Sequence, residues 1–175
     1  MRADLRRYAK SQSGYTLVEL IVASAIGVMV MTGLTSVVLT SWRAGTVATN
    51  RVEASSQIRS FEFYANDDFA LSGAPVISGC APGGRPPCTI TLSGLRITDP
   101  NTAPIRYSVT YTWDGGSINR QVAGYSSNFA AIGVTAFSAA VSGSPPYQTV
   151  VVTMTLTVQA YVETQTLRFY PRVNP

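Results

Sequence analysis

The sequence contains no histidine and only two cysteines among its 175 residues. Histidine is the commonest general base and metal ligand, so its absence removes most acid–base and metal-dependent chemistry. A zinc site needs about four ligands, which Cys80 and Cys88 cannot supply alone. No phosphate-binding loop with its lysine is present, and no acidic pair shows signs of an enclosing pocket. The sequence therefore predicts a protein that is not an enzyme and has no cofactor.

Charge is scarce and unevenly distributed. Thirteen basic and nine acidic side chains give a net charge of +4. Much of this excess lies in the first 14 residues, a leader with four basic residues and one acidic residue: Arg2, Arg6, Arg7, Lys10 and Asp4. The rest of the chain is nearly neutral. The high isoelectric point is therefore a signal of membrane topology, and it gives little support to nucleic-acid binding.

A long uncharged stretch follows the leader. Between Glu19 and Arg43 lie 23 uncharged residues rich in Val, Ile, Leu, Met and Ala. A helix of this length is about 34 Å long, enough to cross a hydrocarbon core of about 30 Å. The run is too long for the apolar core of a secretory signal peptide. A plain membrane anchor leaves Glu19 unexplained, because an ionisable group at the mouth of such a helix is costly unless paired.

The residues around Glu19 form a motif, Gly14-Tyr15-Thr16-Leu17-Val18-Glu19. With its basic leader and apolar run, it resembles the class III signal of type IV pilins and type II secretion pseudopilins. The resemblance implies that a membrane aspartic peptidase cuts between Gly14 and Tyr15 and that Tyr15, which replaces the usual Phe, is N-methylated. Glu19 is then the family's retained glutamate. The new α-amine of a neighbouring subunit would pair with it and fix the axial register between subunits.

The helix is expected to continue past the membrane run, because no proline occurs between residues 15 and 74. Apolar residues past Arg43 recur mostly every three or four positions and predict a face that packs on a globular head. These residues are Val47, Ala54, Ile58, Phe61, Ala65 and Phe69. The charged residues, including Asp67 and Asp68, are expected largely on other faces. Gly73-Ala74-Pro75 is the predicted stop signal.

Two glycines, Gly27 and Gly33, interrupt the membrane half of this helix. They fit close approach between helices, helped by neighbouring small residues. They also fit a local weak point, since glycine destabilises a helix by about 1 kcal/mol relative to alanine. The third interpretation is the ordinary glycine content of membrane helices.

The C-terminal half changes to a period of two, which is typical of β-strands. The predicted strands are Thr89–Leu92, Ile105–Trp113, Ser117–Val122, Val134–Ser138, Val150–Ala160 and Thr166–Tyr170. Asp114-Gly115-Gly116 joins the second and third of them as a hairpin. The Val150–Ala160 strand has one apolar and one threonine-rich face. We therefore expect an α+β, pilin-like fold with the long helix packed on an antiparallel sheet.

Three aromatic residues, Tyr107, Tyr111 and Trp113, share one face of a strand and are expected in the core rather than on a binding platform. Asp114 and the Asp67-Asp68 pair raise the possibility of calcium. One turn offers only two or three oxygens, whereas calcium needs about six to eight. A hairpin turn and a solvated acidic pair are the favoured interpretation.

The two cysteines close the nine-residue segment Cys80-Ala-Pro-Gly-Gly-Arg-Pro-Pro-Cys88. Its length and export signal favour a disulfide in an oxidising compartment, against the alternative of two free thiols.

Three stretches resemble J-type minor pseudopilins and PilW-like minor pilins. Ile105–Tyr111 followed by Ile118-Asn119-Arg120-Gln121 resembles their "Y-x-V/L … L-x-R" hairpin, with Ile118 in place of Leu. Asp67–Ala74 is similar to their acidic-then-small helix end, and Thr166–Asn174 to their closing strand. The resemblance implies a minor subunit near the filament tip that helps to initiate assembly.

The expected organisation has four parts: a cleaved leader 1–14, a membrane or filament-core helix 15–42, its amphipathic continuation 43–74, and a β-rich head 75–175 with a disulfide loop. The implied partners are other pilin subunits, the prepilin peptidase and methyltransferase, and an inner-membrane assembly platform. Before assembly the chain would span the bacterial inner membrane once, with its leader cytoplasmic. Afterwards it would lie in a surface or periplasmic filament. The alternatives are a major pilin, or a tip adhesin or DNA-uptake subunit that uses exposed Arg85.

Overall fold

The computed structural model describes residues 14–96, 103–144 and 148–171. Within them the chain forms one helix, α1 (Leu17–Leu71), followed by eight strands. The strands are β1 (Val76–Ser78), β2 (Cys88–Arg96), β3 (Ile105–Trp113), β4 (Ser117–Val122), β5 (Asn128–Ile132), β6 (Val134–Ser142), β7 (Thr149–Val158) and β8 (Tyr161–Phe169). The predicted α+β class is confirmed. The leader before Gly14 and residues 172–174 of the predicted closing motif lie outside the described residues.

The chain divides after Thr46 into two compact units. In the first, every described residue is exposed to solvent. Its part of α1 belongs to a helix that is long and apolar enough to cross a membrane. Large apolar side chains such as Met29 and Leu17 are about three-quarters exposed. This surface is covered by nothing within the described chain.

The second unit is built around the remainder of α1. The predicted apolar face is buried at Ala54, Ile58, Phe61, Ala65 and Phe69. Val47, which begins the predicted face, is instead 57% exposed. Phe61 makes edge-on ring contacts with aromatic residues of three strands: Tyr111 of β3, Phe137 of β6 and Phe169 of β8.

The strands form two antiparallel sheets rather than the single sheet expected. One has the order β1-β2-β3-β4-β5, and the other has the order β6-β7-β8. Gly133 separates β5 from β6 with a φ of 78°, a left-handed conformation that glycine adopts without strain. The backbone N–H groups of Gly133 and Val134 both donate to the carbonyl of Gly116. The chain therefore leaves the first sheet at this corner and starts the second.

Helix α1 ends where β2 comes close to it. Ser72 forms an isolated bridge with Gly94 of β2, and the Gly73 N–H donates to the Ser93 carbonyl at 2.9 Å. A Cβ atom at Gly94 would lie only 2.1 Å from the Leu71 carbonyl oxygen, so this approach needs glycine. The helix ends two residues before the predicted Gly73 stop signal.

The predicted hairpin is confirmed, because β3 and β4 have the expected bounds and pair around Asp114-Gly115-Gly116. The predicted strands Thr89–Leu92 and Val134–Ser138 are longer in the structure, where they span Cys88–Arg96 and Val134–Ser142. Two strands were not predicted. β1 (Val76–Ser78) is only three residues long, and β5 (Asn128–Ile132) lies between the predicted strands Ser117–Val122 and Val134–Ser138.

Candidate functional site: the helix start and the polar contacts of the head

The start of α1 brings the predicted processing and assembly residues together. The Glu19 N–H donates to the Thr16 carbonyl at 3.0 Å and lies 3.3 Å from the Thr16 hydroxyl oxygen. Thr16 is therefore the N-cap, and Glu19 lies in the first helical turn, where a carboxylate interacts favourably with exposed N–H groups. Thr-x-x-Glu is a capping-box pattern, a signal that the sequence prediction did not use. Gly14, Tyr15 and Glu19 are all exposed here.

The apolar half of α1 carries hydroxyl side chains whose donors bond within the helix. Each hydroxyl donates to a backbone carbonyl three or four residues earlier, at 2.7–3.1 Å. The donors are Ser24, Thr32, Thr35, Ser36, Thr40 and Thr46. Such bonds hide polar donors from an apolar environment. A Cβ atom added at Gly27 or Gly33 would meet nothing within 4 Å, so no contact within the described chain requires either glycine.

In the second unit, a buried carboxylate lies between α1 and the first sheet. Asp68 is only 2% exposed, so the expected solvated acidic pair is wrong for this residue, although Asp67 is exposed. Arg120 of β4 binds Asp68 with two nitrogens, Nε at 2.6 Å from Oδ2 and Nη2 at 2.8 Å from Oδ1. The hydroxyls of Tyr107 and Tyr111 on β3 donate to Oδ1 and Oδ2, respectively.

The protonation states of this cluster follow from its burial and charges. Burial, followed by the hydrogen bond to Asp68 and its charge, raises the pKa of Tyr107 to about 12. Burial and the Asp68 carboxylate also raise the pKa of Tyr111. The hydrogen bond to Asp68 is the main cause that raises the pKa of Arg120. Both tyrosines therefore stay protonated and Arg120 stays charged throughout the physiological pH range.

The cluster also corrects the sequence analysis of the hairpin. Tyr111 and Trp113 are buried as predicted, and the Trp113 Nε1–H donates to the Val134 carbonyl at 2.9 Å. Tyr107 is only half-buried, and its hydroxyl donates a hydrogen bond to the Asp68 carboxylate. The three stretches that carried the minor-subunit resemblance include Asp68, the two tyrosines and Arg120. The fold brings residues from two of them, the helix end Asp67–Ala74 and the hairpin, into one contact.

Two further side chains hold α1 against the head. The Asn50 Nδ2 donates to Gln159 Oε1 in the β7–β8 turn at 3.3 Å, and Asn50 is 8% exposed. The Ile132 N–H at the end of β5 donates to Gln57 Oε1 at 3.0 Å. Together with Asp68, these contacts connect the helix to both sheets. No spacing rule in the sequence pairs residues this far apart along the chain.

The disulfide loop connects the two sheets. Cys80 and Cys88 are bonded to each other, and both are buried. Cys88 begins β2, while the Cys80 carbonyl accepts a hydrogen bond of 3.1 Å from the Ala139 N–H of β6. Arg85 is exposed within the loop.

Asp114 acts within its own turn. One carboxylate oxygen accepts from the N–H groups of Gly116 and Ser117 at 2.9 and 2.7 Å, and the other accepts from the Ser117 hydroxyl at 2.8 Å. These bonds, led by the one from Gly116, lower the pKa of Asp114. Among the described residues, no group of three or more acidic or cysteine side chains is arranged to hold a metal ion.

Comparison with protein-family models finds a similarity at the start of the chain. Residues 9–35 match the prokaryotic N-terminal methylation motif, a segment that includes Gly14, Tyr15, Glu19 and both glycines of the apolar helix. No curated protein and no solved structure matches the chain.

Proposed function

Since the chain carries the class III signal of type IV pilins and pseudopilins, we propose that it is a minor structural subunit of a type IV pilus or a type II secretion pseudopilus. The observation that carries this proposal is the methylation motif at residues 9–35 together with the apolar part of α1 that it overlaps, whose described residues are all exposed up to Thr46. Such a helix is stable only in a membrane or against other apolar helices. Both environments are used in turn by a subunit that is stored in a membrane and assembled into a filament.

Processing would begin with cleavage of the Gly14–Tyr15 bond and N-methylation of Tyr15. Tyr15 is 84% exposed and precedes the first residue of α1 by two positions, so a peptidase would reach an extended segment before the helix begins. The division into leader 1–14, core helix 15–42, amphipathic helix 43–74 and head 75–175 belongs to the same proposal. The leader would remain cytoplasmic and the head would lie outside.

Glu19 would then act in assembly. Its carboxylate lies in the first turn of α1, within an otherwise uncharged apolar surface. When helices pack side by side in an apolar core, an unpaired carboxylate is costly because it loses its hydration. A neighbouring cation offsets this cost. The α-amine of Tyr15 in a neighbouring subunit is such a cation. This α-amine exists only after cleavage, so an unprocessed subunit would not provide the cation that pairs with the Glu19 carboxylate.

A minor role is favoured over a major one by the head. The stretches resembling J-type pseudopilins and PilW-like pilins contribute Asp68, Tyr107, Tyr111 and Arg120 to one buried contact. Because these residues contact one another in the fold, they support the minor-subunit resemblance better than separate similarities in sequence would. The chain would be present at few copies per filament.

The test is Glu19→Gln, which removes the charge and keeps the shape, together with Glu19→Ala. The measurement is mass spectrometry of purified filaments for the copy number of this chain, its N-terminus and its methylation. We expect membrane insertion and cleavage to be unchanged and incorporation to fall at least about tenfold, which corresponds to about 1.4 kcal/mol. Glu53→Gln is the matched control, because Glu53 is an exposed glutamate of the same helix and glutamine keeps the Oε1 acceptor for its hydrogen bond from Gln57.

The outcomes separate the parts of the proposal. Normal incorporation of both Glu19 variants would disprove the pairing of Glu19. A wild-type chain that keeps Met1 and never enters filaments would disprove the pilin function itself. Incorporation equal to that of the most abundant subunit would make the protein a major pilin.

A further inference from the structure

The contact between α1 and the first sheet contains a charged group where apolar packing would be expected. Asp68 is nearly fully buried, and its neighbour Phe69 stacks on Phe169 with a centroid distance of 4.6 Å. Burying a carboxylate is costly, and a buried ion pair is often no more stable than well-packed apolar residues of similar volume. Stability alone therefore does not explain the presence of Asp68 at this position.

The geometry of the contact is highly directional. The carboxylate accepts four hydrogen bonds, two from the Arg120 guanidinium and one each from Tyr107 and Tyr111. The Arg120 guanidinium also lies over the Tyr64 ring, 5.2 Å from its centroid, and Tyr64 is one turn before Asp68 on α1. A shift of one residue along a helix moves a side chain by about 1.5 Å and rotates it by about 100°. Either change would break all four bonds.

Apolar contacts in the same interface discriminate much less between registers. Ala54, Ile58, Ala65 and the aromatic rings would still bury surface after a small slide or rotation, because hydrophobic attraction has no preferred direction. The other polar contacts are single hydrogen bonds, Asn50 to Gln159 and Gln57 to the Ile132 N–H. The Asp68 cluster is the strongest directional element among the described contacts of the helix with the head.

We propose that Asp68 is a positioning residue that, through its contacts with Arg120, Tyr107 and Tyr111, restricts α1 to a single register on the first sheet. The inference rests on the proposed function in one respect. Every copy in a filament must present the same head surface, and a helix that settles in two registers would present two. The cluster then serves specificity of assembly more than stability of the subunit.

The experiment separates specificity from stability. The cluster is replaced by apolar residues of similar size in one variant: Asp68→Leu, Arg120→Met, Tyr107→Phe and Tyr111→Phe. Spin labels are attached to unnatural keto amino acids at two exposed positions, Ser56 of α1 and Gln121 of β4, so that the disulfide is not disturbed. Distances between the labels are measured by pulsed electron paramagnetic resonance on the full chain in detergent micelles. Thermal unfolding is followed on the same samples.

We expect the wild-type chain to give one narrow distance distribution. The four-residue variant should unfold within about 5 °C of wild type or above it, but its distribution should be broadened or split. Asp67→Leu is the matched control, because it removes the neighbouring exposed carboxylate, and it should leave the distribution narrow. A stable four-residue variant with one narrow distance would overturn the proposal.

A second variant covers the case in which the apolar replacement fails to fold. Arg120→Lys keeps the positive charge and replaces the planar fork by a single ammonium group. We expect it to fold and to broaden the distance distribution, and an unchanged distribution would overturn the proposal equally. These measurements are made on single subunits. Failure of the proposed filament function would appear instead as absence of the wild-type chain from filaments, with the distance result unaffected.

Discussion

The two parts of α1 have the same backbone but opposite surroundings. Up to Thr46 every described residue is exposed, including large apolar side chains such as Leu34 and Val37. From Asn50 to Phe69, seven residues are buried against the head. In the first part, six hydroxyl groups donate to carbonyls of the same helix. The second part contacts both sheets through apolar, aromatic and charged side chains.

The difference shows where each part obtains its stability. The second part has its partner within the same chain, so its sequence is amphipathic and its polar contacts are specific. The first part is apolar on all sides, and its partner must come from outside the chain, either lipid or other subunits. The membrane-anchoring character of the chain and its pilin-type motif follow from the same segment.

The largest expected effect comes from truncating one apolar side chain in each part. Phe61→Ala should destabilise the head by about 3–5 kcal/mol, because Phe61 is fully buried and contacts three other rings. Leu34→Ala should leave unfolding of the head unchanged, because Leu34 is 57% exposed. Thermal unfolding of the full chain in detergent tests both. Equal losses would show that the two parts are not energetically distinct.

A smaller loss is expected from opening the disulfide. The double variant Cys80→Ala, Cys88→Ala should cost about 2–3 kcal/mol, the entropy of closing a nine-residue loop in the unfolded chain. Thermal melts with and without reductant provide the measurement. Reductant should lower the wild-type melting temperature and leave the variant unaffected. Membrane association, which depends on the first part, should be the same in both.

Alkaline pH should weaken only the second part. Because the pKa of Tyr107 is raised to about 12, its stabilising contribution is complete below pH 10 and is lost as the pH rises from about 10 to 12. Urea unfolding midpoints at pH 9 to 12 should fall more steeply for wild type than for Tyr107→Phe, which cannot ionise at this position. Equal slopes of the unfolding midpoint against pH would contradict the role assigned to the half-buried Tyr107 hydroxyl.

The smallest effect is expected at the hairpin turn. Asp114→Ala should cost about 1 kcal/mol at neutral pH, because it removes three hydrogen bonds at an exposed site. The pKa of Asp114 is lowered, so the wild-type advantage is full above the usual value of about 3.9 and is lost as the pH falls through the folded-state value. The difference in unfolding midpoint between the wild-type protein and Asp114→Ala should therefore be largest at pH 7 and should shrink as the pH is lowered through the acid range.

Local patterns in the sequence were sufficient for several elements. The Asp114-Gly115-Gly116 turn between two alternating runs was sufficient to predict the first and last residues of β3 and β4. A two-residue period and a glycine turn are both local signals. The absence of proline and the recurrence of Ala54, Ile58, Phe61 and Ala65 located the buried face of α1.

Contacts between distant residues were not accessible in the same way. Asp68 was expected in solvent because charged residues are rarely buried without a partner, and its partner Arg120 lies 52 positions away. The short β1 has too few residues to show a period, and β5 directly follows a segment rich in turn-forming residues and does not itself alternate. The division into two sheets depends on a corner at Gly133, and one glycine between two strands does not reveal it.

The hydroxyl side chains of the apolar half have a consequence for movement between surroundings. Ser24, Thr32, Thr35, Ser36 and Thr40 each donate to a carbonyl of their own helix. A segment that supplies its own acceptors exchanges no hydrogen bond when lipid tails are replaced by neighbouring protein, or the reverse. Apart from the pairing proposed for Glu19, extraction of this helix from a bilayer and its return would then change only apolar contacts, so the same helix suits both surroundings.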